Sequence, residues 1–415
     1  MSHLESNGLL SKHQHGFRAN LSTETALLQV TEQLYKNIDE RRISLLVLLD
    51  LSKAFDSVNH NILIQKLNNL NIDSQWFKSY LEDRSQSVRI NNTISSSQRI
   101  SFGVPQGSIL GHLLFLIYVN DMPQFVKNCF LIQYADDTQL VFSSKLENLH
   151  ELIEYAENTL LLAKSYFQNN GLLLNEDKTQ CIFIGSRQYI SRIPDDIKIN
   201  FNGNLITPSK TVKNLGVHFD RYLLFDTHID ALSKKVTGTL LYINRIKNHF
   251  SAYTRTMVIQ SLVLSLINYC SKVWGMTSKQ QIERVQKLQN FAAKVAEGNA
   301  RKFDHVTPII NKLDWLKVDE QIKFDVGLTV YKTVHNQYPD WLIPLKSRNQ
   351  AGFRSTRQYS ELLVNRTSTD IGKNKLSITG PTVWNSLPQS IRDCNSIPSF
   401  KKALKRHIIN NRPNT

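Results

Sequence analysis

The sequence predicts an α+β chain: an antiparallel sheet with packed helices, then an all-α segment, then a basic C-terminal region. Three stretches carry that prediction. Ser44-Leu-Leu-Val-Leu-Leu-Asp50 is an apolar run ending in an acid, the pattern of a buried strand that carries a polar group to its tip. Phe130–Phe142 sets β-formers such as Ile132, Tyr134, Val141 and Phe142 on both sides of Asp136-Asp137, which reads as two short strands joined by a tight turn. Beyond Thr227, apolar residues recur at helical spacing with Lys or Arg between them.

Taken in order, Ser22 with acidic Glu24 behind it starts a helix that runs to Asp39. Lys53-Ala-Phe-Asp-Ser-Val turns the chain from the Asp50 strand into a helix over Asn61–Leu70. Gln75–Asp83 is a short amphipathic helix carrying Trp76, Phe77, Tyr80 and Leu81. Val88–Asn91 and Gln98–Ser101 are expected to pair as a hairpin around Asn91-Asn92. Gly103–Gly111 contains small residues that let backbone approach a ligand closely, and it feeds a helix from Ile109 to Asp121. Leu149, Leu152, Ile153, Ala156, Leu160, Leu161 and Phe167 give one long helix over Leu146–Asn169, which Gly171 ends. Strands at Leu172–Leu174 and Cys181–Ile184 flank Asn175–Lys178, and β-structure continues from Ile197 to Asp220. Helices follow over His228–Phe250, Tyr253–Cys270 and Gln280–Ala296, interspersed with Lys234, Lys235, Arg245, Lys247, Arg255, Arg284, Lys287 and Lys294. Further on, helical pieces at Asp319–His335 and Ser399–Ile409 surround a polar middle containing Pro and Ser.

At 415 residues the chain has room for two or three domains with substantial cores. No apolar run approaches the roughly 20 residues of a membrane span, and Met1–Ser6 lacks the layout of a signal peptide. Cys129, Cys181, Cys270 and Cys394 are scattered, which argues against a disulfide framework or zinc site and fits a reducing intracellular compartment. The net charge of +15 is uneven. Residues 1–220 carry 20 Lys+Arg against 22 Asp+Glu, while residues 221–415 carry 30 against 13. A duplex presents one negative charge per ~1.7 Å of axis, so a nucleic-acid backbone is the natural partner of the basic half, with a plain solvated basic face as the alternative.

An Asp-Asp pair at a hairpin tip needs no functional explanation, because Asp tolerates turns. Asp50 changes that. Two strands that each end in an acid, both sheltered by apolar neighbours, bring like charges together, which is costly unless divalent cations neutralise them. Hard oxygen ligands of this kind suit Mg²⁺ or Mn²⁺, and a pair of such ions can clamp both oxygens of a phosphoryl transfer.

Tyr134-Ala-Asp-Asp137 resembles the YxDD box of reverse transcriptases, Leu49–Asp56 their first palm motif, and Gly103–Gly111 the glycine-rich motif between them. Gly171–Thr179 and Asn214–Val217 resemble the next two. Short strings recur by chance, but five in the right order are specific. The wording is that of non-LTR, LINE-like retrotransposon polymerases of the jockey and CR1 groups. The resemblance implies a right-hand polymerase, with partial fingers and palm over 1–225, a helical thumb over 226–300, and a basic C-terminal region over 301–415 whose role it does not state. It also implies a chain truncated at its N-terminus.

The same resemblance implies an enzyme, an RNA-directed DNA polymerase that joins dNTPs to a DNA primer on an RNA template, acting in nucleus and cytoplasm. Asp50, Asp136 and Asp137 would be its catalytic, metal-binding carboxylates for two Mg²⁺ (or Mn²⁺) ions, with the Leu51 carbonyl a further ligand. Phe55 would leave no room for a 2′-hydroxyl, or simply pack a helix onto the sheet; the two roles are compatible. Gln106 and Gly107 would meet template or nucleotide. Lys178 would stand near the leaving pyrophosphate or be a solvated loop lysine, and Arg18 would touch template or phosphate or serve a helix cap. His112 departs from the family, which has Pro there, and reads as a neutral substitution. A retroelement remnant that binds RNA or RNA–DNA hybrid without polymerising, and an RNA-dependent RNA polymerase, are the competing readings.

Overall fold

The computed structural model describes the whole chain except Asn128, Lys302, Asp340, Pro344 and residues 348–360 and 413–415. It forms two compact units. One comprises Met1–Ala26, Arg42–Phe183 and Gln188–Ser209; the other comprises Leu27–Arg41, Ile184–Arg187 and Lys210–Thr415.

The first unit is built on four strands, β1 (Ile43–Leu49), β2 (Phe130–Tyr134), β3 (Asp137–Ser144) and β4 (Gln180–Ile184), in the order β4-β1-β3-β2. β1 is an inner strand, and Ile43, Leu45, Leu46 and Val47 are wholly enclosed, so it reads as a continuous apolar run rather than an alternation. It runs antiparallel to β3, from Ile43 opposite Ser144 to Leu49 opposite Thr138. The helix Leu149–Asn169 lays Leu152, Ala156, Leu160, Ala163 and Phe167 into the core and packs on β3. Gly171 follows its end with φ +67°, the left-handed conformation that closes a helix cheaply only with glycine.

A second helix, Ile109–Tyr118, is buried on nearly every side from Leu114 onward and packs on the helix His60–Asn69. Where they meet, Lys66 Nζ donates to the Tyr118 carbonyl (2.6 Å), to Asp121 Oδ1 (2.7 Å) and to the Tyr166 hydroxyl (3.3 Å). One ammonium thus ties three separate segments, and burial pulls its pKa below the usual lysine value against the pull of Asp121.

The expected hairpin around Asn91-Asn92 forms with a different pairing. Arg89–Ile90 pairs with Thr93–Ile94, and Gln98–Arg99 pairs back with Ser85–Gln86. A two-residue turn, with Asn91 at φ +53°, forces its immediate neighbours together and leaves the Ser-rich stretch between the two ladders.

In the second unit the hairpin Thr211–Asn214/Val217–Asp220 packs on the helix Asp226–Ile246, so this unit begins before residue 225. That helix packs on Lys279–Glu297, and both face the run Ala252–Asn268, which contains a π-helical segment at Gln260–Leu264. The C-terminal helices Val318–Val334, Leu376–Asn385 and Ile397–Asn410 enclose Val330, Tyr331, Trp384, Phe400 and Leu404. They belong to the same unit as the preceding bundle. Asp39 anchors this region: it pairs with Lys375 (2.9 Å) and accepts from the Ser368 and Thr369 amides, both 2.8 Å. The polar middle expected between these helices lies partly outside the described residues.

Removing the Lys66 ammonium leaves the Tyr118 carbonyl without this donor and the Asp121 carboxylate without its counter-charge, though the Tyr166 hydroxyl still donates to Asp121 (2.5 Å). Because Asp121 is about a third exposed, Lys66→Met should lower unfolding stability by ~2–3 kcal/mol, toward the low end for a broken buried pair. Urea denaturation of the two proteins measures it, and a loss under ~0.5 kcal/mol would show the network to be inert.

Candidate active site

The β1–β3 register ends with Leu49 opposite Thr138. One step further it sets Asp50 opposite Asp137, and opposed side chains in an antiparallel pair share a face. Tyr134 pairs with Asp137, which leaves Ala135 and Asp136 as a two-residue turn. Ala135 has a φ of +55°, a left-handed conformation that costs a non-glycine residue roughly 1–2 kcal/mol. An outside segment holds it there. Gln14, fully buried, accepts from the Ala135 amide (2.9 Å) and donates to the Ala135 carbonyl (3.1 Å).

The three carboxylates sense one another. Asp137 is exposed as a residue, but desolvation of its carboxyl by the surrounding turn, then the charges of Asp136 and Asp50, push it up to about 6. Asp136 is raised as well, by burial and by Asp50, with its own amide opposing the shift. Asp50 Oδ2 is buried and accepts no hydrogen bond; its partner is the Lys178 ammonium at 3.4 Å, too far to count as a good hydrogen bond. Lys178 itself is 69% exposed, so the contact is a solvated ion pair rather than a buried one.

Among the described residues no three Asp, Glu, His or Cys side chains stand close enough to hold a metal ion as a set. The case for a cation rests instead on the donors: a buried carboxylate oxygen that accepts no hydrogen bond and faces only a solvated ammonium, beside two acids whose protons are held above the usual range. Such oxygens fit a hard divalent cation, which would relieve both costs. Asp50, Asp136 and Asp137 are the residues that would hold it. Leu51 lies opposite Leu174, while the neighbouring Asp50 carbonyl accepts from the Asn175 amide (2.9 Å). Antiparallel alternation therefore turns the Leu51 carbonyl away from that strand, leaving it free of this ladder.

Phe55, Gln106 and Gly107 are gathered on one neighbouring patch. The Gly103 amide donates to the Val58 carbonyl (2.7 Å) and the Val104 amide to the Phe55 carbonyl (2.9 Å), which sews the glycine-rich loop onto the turn after β1. Half-buried Phe55 stacks on Phe115 with centroids 4.4 Å apart. Gln106 donates to Asp56 (2.9 Å). Gly107 sits at φ +78° with nothing within 4 Å of a would-be Cβ, so backbone conformation rather than crowding calls for glycine.

Arg18 is the correction. Its guanidinium pairs with Glu5 (2.6 Å) and donates to the Ser11 (2.6 Å) and Gln14 (3.1 Å) carbonyls, with only 6% of the side chain exposed. Those bonds make it an internal brace, not a template or phosphate contact and not a helix cap. Sequence reasoning also passed over Gln14 and Gly16. A Cβ on Gly16 would stand 2.4 Å from the Ala135 nitrogen. The signal was the Gln14-His-Gly-Phe string itself, but no local pattern ties it to a turn more than a hundred residues away. His112 packs at a tilt against Phe17 with centroids 4.1 Å apart and lies edge-on 5.8 Å from Phe55, so the residue that departs from the family joins an aromatic cluster.

Comparison with known proteins agrees with this geometry. The family profile described as "Reverse transcriptase (RNA-dependent DNA polymerase)" matches residues 1–219, more than half of the chain. A "Probable RNA-directed DNA polymerase from transposon BS" of Drosophila melanogaster is 29% identical over 76% of this chain and 35% of its own length. The corresponding protein from transposon X-element of the same fly is 27% identical over 72% of this chain and 33% of its own. The polymerase from its mobile element jockey is also 27% identical, over 68% and 31%. The chain therefore spans about a third of the length of the curated relatives it matches. The chain belongs to the reverse transcriptase family, among its LINE-like, non-LTR members.

Proposed function

We propose that this chain polymerises DNA on an RNA template. The observation that carries the reading is the acidic turn: Asp136 and Asp137 with raised pKa values beside the buried Asp50 oxygen that accepts no hydrogen bond, inside the matched family region. In this reading a primer 3′-hydroxyl attacks the α-phosphate of a dNTP in line, and pyrophosphate leaves. Asp50 and Asp136 would hold the divalent cations, with Asp137 in support and the Leu51 carbonyl at hand. Two such ions, when bound, would supply neutralisation of phosphate charge and orientation of the attacking and leaving oxygens. Lys178 shares the charge of Asp50 from its exposed side, and its ammonium suits the charge developing on the pyrophosphate.

Phe55 gives the site its preference for deoxynucleotides. Its ring is backed by Phe115, so it cannot retreat from an added 2′-hydroxyl. Gly107 offers backbone to a base or phosphate, and Gln106 can exchange Asp56 for template or nucleotide. The basic second unit, with Lys234, Lys235 and Lys287 exposed on its helices, supplies the surface for an RNA–DNA duplex. Two of the basic residues there are otherwise engaged. Arg255 donates to the Ala296 and Glu297 carbonyls at the end of a helix, and Arg284 pairs with Asp230.

Primer extension on an RNA template tests the reading. Asp136→Ala should cut extension at least ~1,000-fold, about 4 kcal/mol of transition-state stabilisation, while duplex binding persists. A wild-type chain that binds the hybrid and extends nothing would point to a remnant that only binds. Phe55→Ala should raise NTP use relative to dNTP by ~10–100-fold, measured as the ratio of kcat/KM values. An unchanged ratio would assign Phe55 to packing alone.

A further inference from the structure

We propose that the segment His13–Gly16 is a positioning strap for the acidic turn, and that Gln14 sets where Asp136 stands. The strap lies beside β2 as an added parallel strand: the Gln133 amide donates to the His13 carbonyl and the His15 amide to the Gln133 carbonyl, both 2.8 Å. These bonds are main-chain bonds that any residue at position 14 would allow. The Gln14 side chain is spent differently. Its Oε1 accepts from the Ala135 (2.9 Å) and Gly16 (2.8 Å) amides, and its Nε2 donates to the Ala135 carbonyl (3.1 Å). Two amide donors on one oxygen fix which way the carboxamide faces. Both polar groups of a strained residue are thus held by one side chain, and that residue is joined directly to Asp136.

Close packing and bracing make the clamp specific. Gly16 lets the strap approach to where a Cβ would overlap the Ala135 nitrogen. Arg18 and Glu5 hold the strap from behind through the Gln14 carbonyl. His13 Nδ1 bonds the Leu131 carbonyl at 2.8 Å, and the Asn120 side chain bonds Ser11 and Leu9. With the strap fixed on both flanks, Gln14 works as a rigid arm. Without its carboxamide, Ala135 has reason to leave φ +55° and carry Asp136 away from Asp50. The proposal deepens the polymerase reading and rests on it for its activity measurement alone.

The test compares the full chain with Gln14→Ala, Ala135→Gly and the double variant. Mn²⁺ binding is read by electron paramagnetic resonance, primer extension by steady-state kinetics, and folding by thermal melting. Gln14→Ala should weaken Mn²⁺ binding about tenfold and lower kcat by about the same factor, with the dNTP KM changed less than ~2-fold. Adding Ala135→Gly should restore at least ~3-fold of the lost affinity, because glycine keeps a positive φ without strain. A role confined to stability would leave Mn²⁺ affinity and kcat within ~2-fold at temperatures where the variant is folded, and that result overturns the proposal. A loss that Ala135→Gly leaves untouched overturns it too. If the wild type extends no primer, the polymerase reading fails and the Mn²⁺ measurement alone decides on the strap.

Discussion

Three carboxylates at neighbouring strand ends repel one another, and much of the first unit is arranged to keep them there. β1 is enclosed on both faces, so Asp50 cannot slide along the sheet without moving a buried strand. The β1–β3 register brings Asp137 opposite, and Gln14 bonds the turn that carries Asp136. Burial, and after it the neighbouring charges, shows in the protons. Asp137 binds its proton up to about 6 against an ordinary value near 4. Its folded pKa lies above its unfolded one, so its ionisation weakens the cation-free fold progressively as pH rises through that window, and below it the penalty is absent. A divalent cation reverses the sign of this cost. In the proposed reading, an arrangement that is a liability for folding would become a driving force for binding metal.

Much of this was legible in the sequence because the relevant patterns are local. A buried strand with an acid at its tip, a hairpin with two acids in its turn and a long helix closed by glycine each need only a window of residues to be recognised. The helix Leu149–Asn169 and the hairpin strands stand where the periodicity sets them. What could not be read was contact across distance. Arg18 looked available for phosphate because nothing in sequence announces that Glu5, Ser11 and Gln14 use up its donors. Gln14 carried no legible signal because its partner, Ala135, lies more than a hundred residues further along. The inner ladder between Ser85 and Arg99 was misjudged for the opposite reason: polar, weakly patterned residues leave register to the turn alone.

The second unit obeys a different logic. Its charge excess marks it for a polyanion, yet several of its basic groups are internal. Arg255 caps a helix end, Lys375 secures Asp39, and Arg412 pairs with Glu320 at 2.6 Å with each side chain about nine-tenths buried. What remains exposed is the set of lysines along the bundle, so a raw count of positive residues overstates the cationic surface. The C-terminal helices share a core of Tyr331, Trp384 and Phe400 and belong to the same unit as the bundle. They are a folded part of the protein.

The account turns on carboxylates that are strained without a cation and relaxed with one. Carbon-detected NMR titration of the Asp137 carboxyl, with and without saturating Mg²⁺, addresses that most directly. Without Mg²⁺ the carboxyl should titrate near 6, and with Mg²⁺ its midpoint should fall below about 4, because the ion takes up only the charged form. A carboxyl that titrates near 4 without any cation, or a raised midpoint that Mg²⁺ does not move, would contradict the account.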